Sequence, residues 1–185
     1  MENPIIFTET YHSPCGDLIL GSFGDQLCLC DWLNSKQHNR TDLRLQRALK
    51  AKMKVESSAV TRKAASELDE YFHGHRKSFD LPLLFVGTPF QKKVWKTLLR
   101  VPYGEIRTYA WMAKEMGNER AVRAVGHADG CNPIVIFAPC HRVVGANGKL
   151  TGYAGGLEAK KYLLDLESKN TMDDNIRKAT WTVKE

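Results

Sequence analysis

The apolar run Ile134-Val135-Ile136-Phe137-Ala138, closed by Pro139-Cys140-His141-Arg142-Val143, constrains this chain more than any other segment. Such a run reads as a buried strand. Asn132-Pro133 opens it as a turn, and a glycine-rich turn, Thr151-Gly152-Tyr153-Ala154-Gly155-Gly156, follows shortly after. The fold therefore has to carry a cysteine and an adjoining histidine at the end of a buried strand, where a sulfur can be held rigidly on the floor of a pocket. Nearby glycines let backbone approach a flat ligand closely. Thiolate is the reactive form of cysteine, and a neighbouring base is one way to generate it. Taken alone, Cys140 reads as a structural buried cysteine; its surroundings reverse that reading.

Around this segment the chain divides into a β-rich start and a helical remainder. Ile5 to Tyr11, Asp17 to Ser22 and Gln26 to Trp32 are short apolar runs punctuated by Pro14, Gly16 and Gly24-Asp25, the pattern of consecutive hairpins. Asn34 to Arg40 reads as a loop, Asp42 to Lys50 as a short helix, and Val60 to Phe72 as a longer one with Ala64, Leu68 and Phe72 on one face. Thr88 and Pro89 form an N-cap and first helical position, after which Phe90, Val94 and Leu98 repeat at a spacing of four. Thr108 caps a helix to Met116, Gly117-Asn118 is a tight turn, and a second short helix runs from Glu119 to Ala128. Helix, turn and helix with small residues is a helix-turn-helix pattern, though an ordinary helical hairpin fits it as well. A last helix is expected over Leu157 to Leu166, and residues 168–185 read as a polar tail. The fold class is α/β in the α+β sense: a small N-terminal antiparallel sheet with helices over residues 1–84, then a mostly helical domain over 85–167.

Five cysteines in 185 residues follow no disulfide or zinc spacing, and a reducing intracellular compartment fits them best, cytoplasmic in a bacterium or nuclear in a eukaryote. Cys28 and Cys30 are read as core. No apolar run approaches the ~20 residues of a membrane span, and Met1-Glu2-Asn3-Pro4 starts no secretory signal. The net charge of +6 is uneven: residues 86–167 hold 12 Lys and Arg against 7 Asp and Glu, whereas residues 1–85 hold 11 of each. A basic half carrying the cysteine suits a polyanionic partner.

Asn132-Pro133, then Cys140-His141-Arg142-Val143, then Gly152-Tyr153-Ala154-Gly155-Gly156-Leu157 resemble, in order and spacing, the O6-alkylguanine-DNA alkyltransferases, also called methylated-DNA–protein-cysteine methyltransferases. The resemblance is close over residues 85 to 167 and looser before them. It implies repair of double-stranded DNA by stoichiometric transfer of an alkyl group from O6 of guanine, and from O4 of thymine, to Cys140. It implies no cofactor, a monomer and little sequence preference; some relatives carry zinc in the N-terminal domain, but Cys15, Cys28 and Cys30 do not reproduce that ligand spacing, so no metal is expected.

The resemblance also assigns roles. Cys140 is the alkyl acceptor, His141 the base that takes its proton through a water, and Glu167 the carboxylate that orients His141. Such a relay is expected to make Cys140 react faster than a free thiol at pH 7. Arg142 is structural, supporting the active-site loops. Tyr109 donates a hydrogen bond to the departing guanine. Tyr153 and the backbone of Cys140, Val143 and Ala154 line the pocket; many relatives carry serine where Ala154 stands. Arg123 enters the base stack when the nucleotide is flipped out, while Ala121 and Ala124 keep that helix surface small for the minor groove. Asn132 is the hinge between recognition helix and active-site strand. His127 and Asp129 are less usual, and Asp129 would weaken phosphate affinity if it faced DNA.

Three other readings are open to the residues. A non-catalytic binder of alkylated DNA would lack the acceptor, and Cys140 is present. A helix-turn-helix transcription regulator would display varied polar side chains on its recognition helix, where this chain has alanine and glycine. A cysteine hydrolase ordinarily brings its histidine from a distant segment.

Overall fold

The computed structural model describes residues 2–171. The chain forms two units: residues 1–88 together with Pro133–Phe137, and Pro89–Asn132 together with the chain from Ala138 onward. Among the described residues no helix is long and apolar enough to cross a membrane.

In the first unit three strands, β1 (Ile5–Ser13), β2 (Gly16–Phe23) and β3 (Gln26–Trp32), pair antiparallel as the hairpin punctuation predicts. Gly24 supplies the positive φ of +60° in the second turn, a backbone region that penalises residues with a Cβ. After α1 (His38–Leu49), a fourth strand, β4 (Lys52–Val55), adds parallel to β1, so the sheet order is β3-β2-β1-β4. The sequence reading missed β4. It is an edge strand with Val55 91% exposed, so it carries no alternating apolar pattern and is held by main-chain pairing. Helix α1 starts at His38, inside the segment read as a loop, because its N-cap, Gln37, makes no side-chain cap and leaves no start signal. Helix α2 (Ala59–Phe72) is announced by a capping box: Ser58 Oγ accepts from Thr61 N–H, and Thr61 Oγ1 accepts from Ser58 N–H. Ile6, Cys28, Leu29, Leu45, Ala51 and Val86 form a core cluster, as expected for Cys28.

The run Ile134–Ala138 is buried as predicted, but it is not a strand. Ile134 makes one parallel bridge to Cys30 of β3. Phe137 N–H then bonds Val135 C=O across Ile136, whose φ is +71°. This is a γ-turn, a tight form that a β-branched residue adopts only under strain, about 1–3 kcal/mol.

The second unit starts with α3 (Pro89–Leu98), whose buried face is Val94, Trp95 and Leu98; Phe90, read as part of that face, is 37% exposed. Trp95 Nε1–H donates to Ala128 C=O at 2.9 Å, fixing the end of a later helix. Thr108 caps α4 (Tyr109–Glu115) by accepting from Trp111 N–H at 3.1 Å. Gly117 turns the chain, and a 3₁₀ turn at Glu119–Ala121 leads into α5 (Val122–Gly130). A two-stranded parallel pair, β5 (Arg107–Thr108) and β6 (Val143–Val144), ties the start of α4 to the residues after the cysteine motif. The last helix, α6 (Leu157–Lys169), runs three residues beyond the expected end, so only part of the expected tail, residues 170 and 171, is described outside it; residues 172–185 lie outside the described region.

Candidate active site

Cys140 does not sit on an extended strand. Cys140–Arg142 is a 3₁₀ turn, entered by a bond from Cys140 N–H to Ala138 C=O at 2.8 Å. Successive side chains in such a turn diverge by roughly 120°, so Cys140 and His141 are turned apart, and no direct hydrogen bond joins them. Cys140 is 4% exposed and His141 is fully buried.

Glu167 projects from the last turn of α6, where a charged residue is ordinarily solvated. It is instead fully buried. Its Oε1 lies 2.7 Å from His141 Nε2. Arg142 clamps both carboxylate oxygens, Nε to Oε2 and Nη2 to Oε1, each at 2.9 Å, and Gly104 N–H donates to Oε2 at 3.2 Å. Arg142 Nη1 reaches on to Val101 C=O at 2.7 Å. The charged groups hold the Glu167 carboxyl well below the usual carboxylate range despite its burial. An ionised carboxylate only accepts, so the hydrogen between it and His141 belongs to Nε2. Burial lowers the His141 pKa against the pull of Glu167. The imidazole is therefore neutral, and Nδ1 carries the lone pair. That atom has no hydrogen-bond partner among the described residues, which leaves it available as a base.

The thiol is not predisposed to ionise. Burial raises the Cys140 pKa, Asp129 raises it further, and a hydrogen bond with the Asn132 side chain and the charge of Lys160 pull it back only in part. The resting group is a neutral thiol, not a thiolate made reactive in advance. Asn132 is 5% exposed and donates Nδ2–H to Ala138 C=O at 2.8 Å, closing the neck from which residues 133–137 depart.

Tyr109, the first residue of α4, donates its hydroxyl to Thr151 C=O at 3.4 Å. Burial raises its pKa, so the phenol keeps its proton and remains a donor. Tyr153 and Ala154 are half-buried in the loop before α6, and Val143 is fully buried on β6. Arg123 and Ala124 are exposed on α5, with Ala121 half-buried just before it, and Arg123 has no ion pair or hydrogen bond among the described residues. Asp129, flagged as a residue that would weaken phosphate affinity if it faced DNA, is 6% exposed and turned into the unit. Lys160 was missed altogether. It is fully buried and is electrostatically linked to Asp129 and Cys140. The signal was available: on α6, Leu157, Lys160, Leu164 and Glu167 share one stripe, so two charged residues occupy apolar positions. Among the described residues no group of three or more His, Cys, Asp or Glu could hold a metal ion.

Residues 6–85 match the family described as 6-O-methylguanine DNA methyltransferase, ribonuclease-like domain, and residues 89–169 match its DNA binding domain. The chain belongs to the 6-O-methylguanine DNA methyltransferase family. It is 44% identical to the methylated-DNA–protein-cysteine methyltransferase of Methanosarcina barkeri over 165 residues, covering 89% of this chain and 99% of that protein. It is 42% identical to the constitutive enzyme of that name from Bacillus subtilis, covering 87% and 94%. Among solved structures it is similar to the O6-methylguanine methyltransferase of Mycobacterium tuberculosis, with a TM-score of 0.76, 40% identity, and coverage of 91% and 96%. That enzyme in complex with DNA gives a TM-score of 0.75 at 40% identity, with coverage of 90% and 94%. The chain is thus an enzyme of the methylated-DNA–protein-cysteine methyltransferase class.

Proposed function

We propose that this protein repairs duplex DNA once per molecule, moving an alkyl group from O6 of guanine, or O4 of thymine, onto Cys140. The observation that carries the reading is the buried Glu167–His141 pair, with an unprotonated Nδ1 on the residue next to a buried cysteine. The thiol proton passes through a water to His141 Nδ1. The sulfur then attacks the alkyl carbon in line; the S–C bond forms, and the C–O6 bond breaks with its electron pair left on guanine. The Tyr109 hydroxyl meets that negative charge with a hydrogen bond before protonation restores ordinary guanine. A thioether has no leaving group for water to displace, so the protein is consumed.

An atom inside a duplex is beyond the reach of a buried sulfur, so the target nucleotide is flipped out, at a cost of a few kcal/mol. The exposed, unpartnered Arg123 fills the space it leaves, and the flat surface around Ala121 and Ala124 admits α5 to the minor groove. Tyr153, Val143 and Ala154 line the pocket, and Arg142 fixes Glu167 in place. The protein acts as a monomer inside the cell and uses no metal or cofactor. The deciding experiment is incubation with duplex DNA carrying labelled O6-methylguanine, followed by peptide mass analysis. One label per protein on the Cys140 peptide is expected; label elsewhere, or turnover beyond one equivalent, would reject the reading.

A further inference from the structure

Residues 81–104 carry Lys92, Lys93, Lys96 and Arg100 and no Asp or Glu. These four basic residues lie on the solvent side of α3 and just beyond its end, away from the buried stripe of Val94, Trp95 and Leu98. With Pro89 and Thr97 they line a shallow recess of about 400 Å³. Arg100 is answered by Glu115 of α4 at 2.8 Å, and Lys93 Nζ donates to Met116 C=O at 2.9 Å. Lys92 and Lys96 have no ion pair or hydrogen bond among the described residues. Nothing in the helix favours them there. Lys92 closes the first turn, where the dipole disfavours a cation, and like charges four residues apart repel. A basic ridge that burdens its own helix is suited to an anionic partner outside the chain.

The recess does not share a face with the exposed side of α5. That helix exposes Arg123, Ala124 and His127 and buries Val125, Ala128 and Asp129. Helix α3 packs on the buried side, where Trp95 Nε1–H meets Ala128 C=O at 2.9 Å. A duplex seated on the exposed side of α5 is therefore separated from Lys92 and Lys96 by a packed pair of helices, and the axes of such pairs lie about 8–10 Å apart. The ridge is left for a second polyanion. Lys92 and Lys96 advance about 6 Å along the helix, and duplex DNA presents one negative charge per about 1.7 Å of its axis. A phosphate backbone laid in the recess meets both lysines in any register, whereas an acidic protein would need carboxylates placed for them.

We propose that the α3 recess around Lys92 and Lys96 is a second DNA site: it holds the backbone of another duplex segment while α5 is still on the first, so that the protein passes directly between segments. The inference rests on the functional reading above, in which α5 enters the minor groove. Direct handover suits a protein consumed in one reaction, because each molecule has to visit many undamaged sites to find a lesion.

The test uses the full chain and undamaged DNA. The parent and the Lys92→Gln, Lys96→Gln double variant are bound to a fluorescent duplex, and release is timed by stopped flow against rising amounts of unlabelled duplex. Simple release does not depend on the competitor, which only traps free protein; handover makes the rate climb with it. Over a tenfold range of competitor the parent's rate should rise several-fold and the variant's should stay flat. Affinity for a single duplex and transfer from free O6-methylguanine base should be alike in the two proteins. A flat rate in the parent, or an equal rise in the variant, overturns the proposal. So does a salt dependence of single-duplex binding that is shallower in the variant by about two in log–log slope, one phosphate for each lysine, which would put both on the duplex that α5 holds. Acceleration by polyglutamate equal to that by duplex would assign the recess to acidic chains and overturn it likewise. No alkylated base enters the release measurement. If the parent fails to accept an alkyl group the functional reading fails, while the competitor dependence still judges the recess.

Discussion

Glu167→Gln separates two jobs that one carboxylate performs. The glutamate receives His141 at 2.7 Å and both prongs of Arg142 at 2.9 Å, with Glu167 and His141 fully buried and Arg142 6% exposed. A glutamine can present its oxygen to only one of them, and its amide then meets guanidinium donors with a donor of its own. Arg142 is left as a buried cation without a counter-ion, a loss of about 3–5 kcal/mol. In a chain of this size that lowers the melting temperature by about 10 °C or more. His141 loses the charge that offsets burial and becomes a weaker base still. General-base assistance is worth about 10²–10⁴-fold, so transfer at pH 7 should slow by at least about 10²-fold. The residual rate should keep climbing with pH toward the raised thiol pKa, because hydroxide then has to do what His141 did. The assay is single-turnover transfer from O6-methylguanine duplex across pH 6–10, at a temperature where circular dichroism shows the variant folded. DNA affinity, measured alongside, should hardly change. A folded variant with unaltered rate and profile would refute the relay, and Glu167 would then be only the anchor of Arg142.

Cys140→Ala should abolish transfer and leave DNA binding intact, checked by label transfer and gel shift on the same duplex. Arg123→Ala should slow repair of duplex DNA far more than reaction with free alkylguanine base; equal losses would assign Arg123 to chemistry or folding. Exhaustive chelation should leave activity and melting temperature nearly unchanged, and a drop restored by zinc would contradict metal independence. Asp31 is 3% exposed, and burial pushes its carboxyl up to about 6. A raised acid stabilises the fold fully below its unfolded pKa, and that contribution is lost as pH rises through about 6. Asp31→Asn keeps an acceptor for Trp32 N–H. In denaturant titrations it should be neutral near pH 4 and more stable than the parent by about 3 kcal/mol at pH 8; equal stability at both pH values would show that the burial cost is met elsewhere.

The hairpins and α2 were legible because local signals agree with tertiary demand: alternating apolar residues, positive-φ glycine turns, a serine cap. The segment around Ile136 was not, because a β-branched apolar run favours a strand and nothing local announces a γ-turn that tertiary packing imposes. Helix α1 and strand β4 lacked caps and pattern for the same reason. At the site, the Cys140–His141 adjacency was visible, but the direction of the thiol pKa was not, since desolvation depends on what packs over the sulfur. Glu167 and Lys160 show the limit from the other side. Helical spacing places both among leucines, yet a charged residue on an apolar stripe acquires meaning only when its partner from another element, Arg142 or Asp129, is known.

On the proposed function, these placements account for a thiol that is neutral at rest and attacks only in the complex. A protein consumed by one reaction gains from an acceptor that does not ionise in advance, because thiolate is also what oxidants and stray electrophiles attack. Burial and Asp129 hold Cys140 neutral. On the proposed function the proton acceptor is supplied separately, by a neutral His141 whose lone pair meets no donor among the described residues. That imidazole does not lower the thiol pKa enough to expose a standing anion. On the same reading it acts when an alkylated base and its bridging water complete the site, and the sulfur can then pass its proton and attack in one bound geometry. The proposed function derives specificity for alkylated bases from the same arrangement, since only a ligand that fills the pocket would bring the proton acceptor, the sulfur and the electrophilic carbon together.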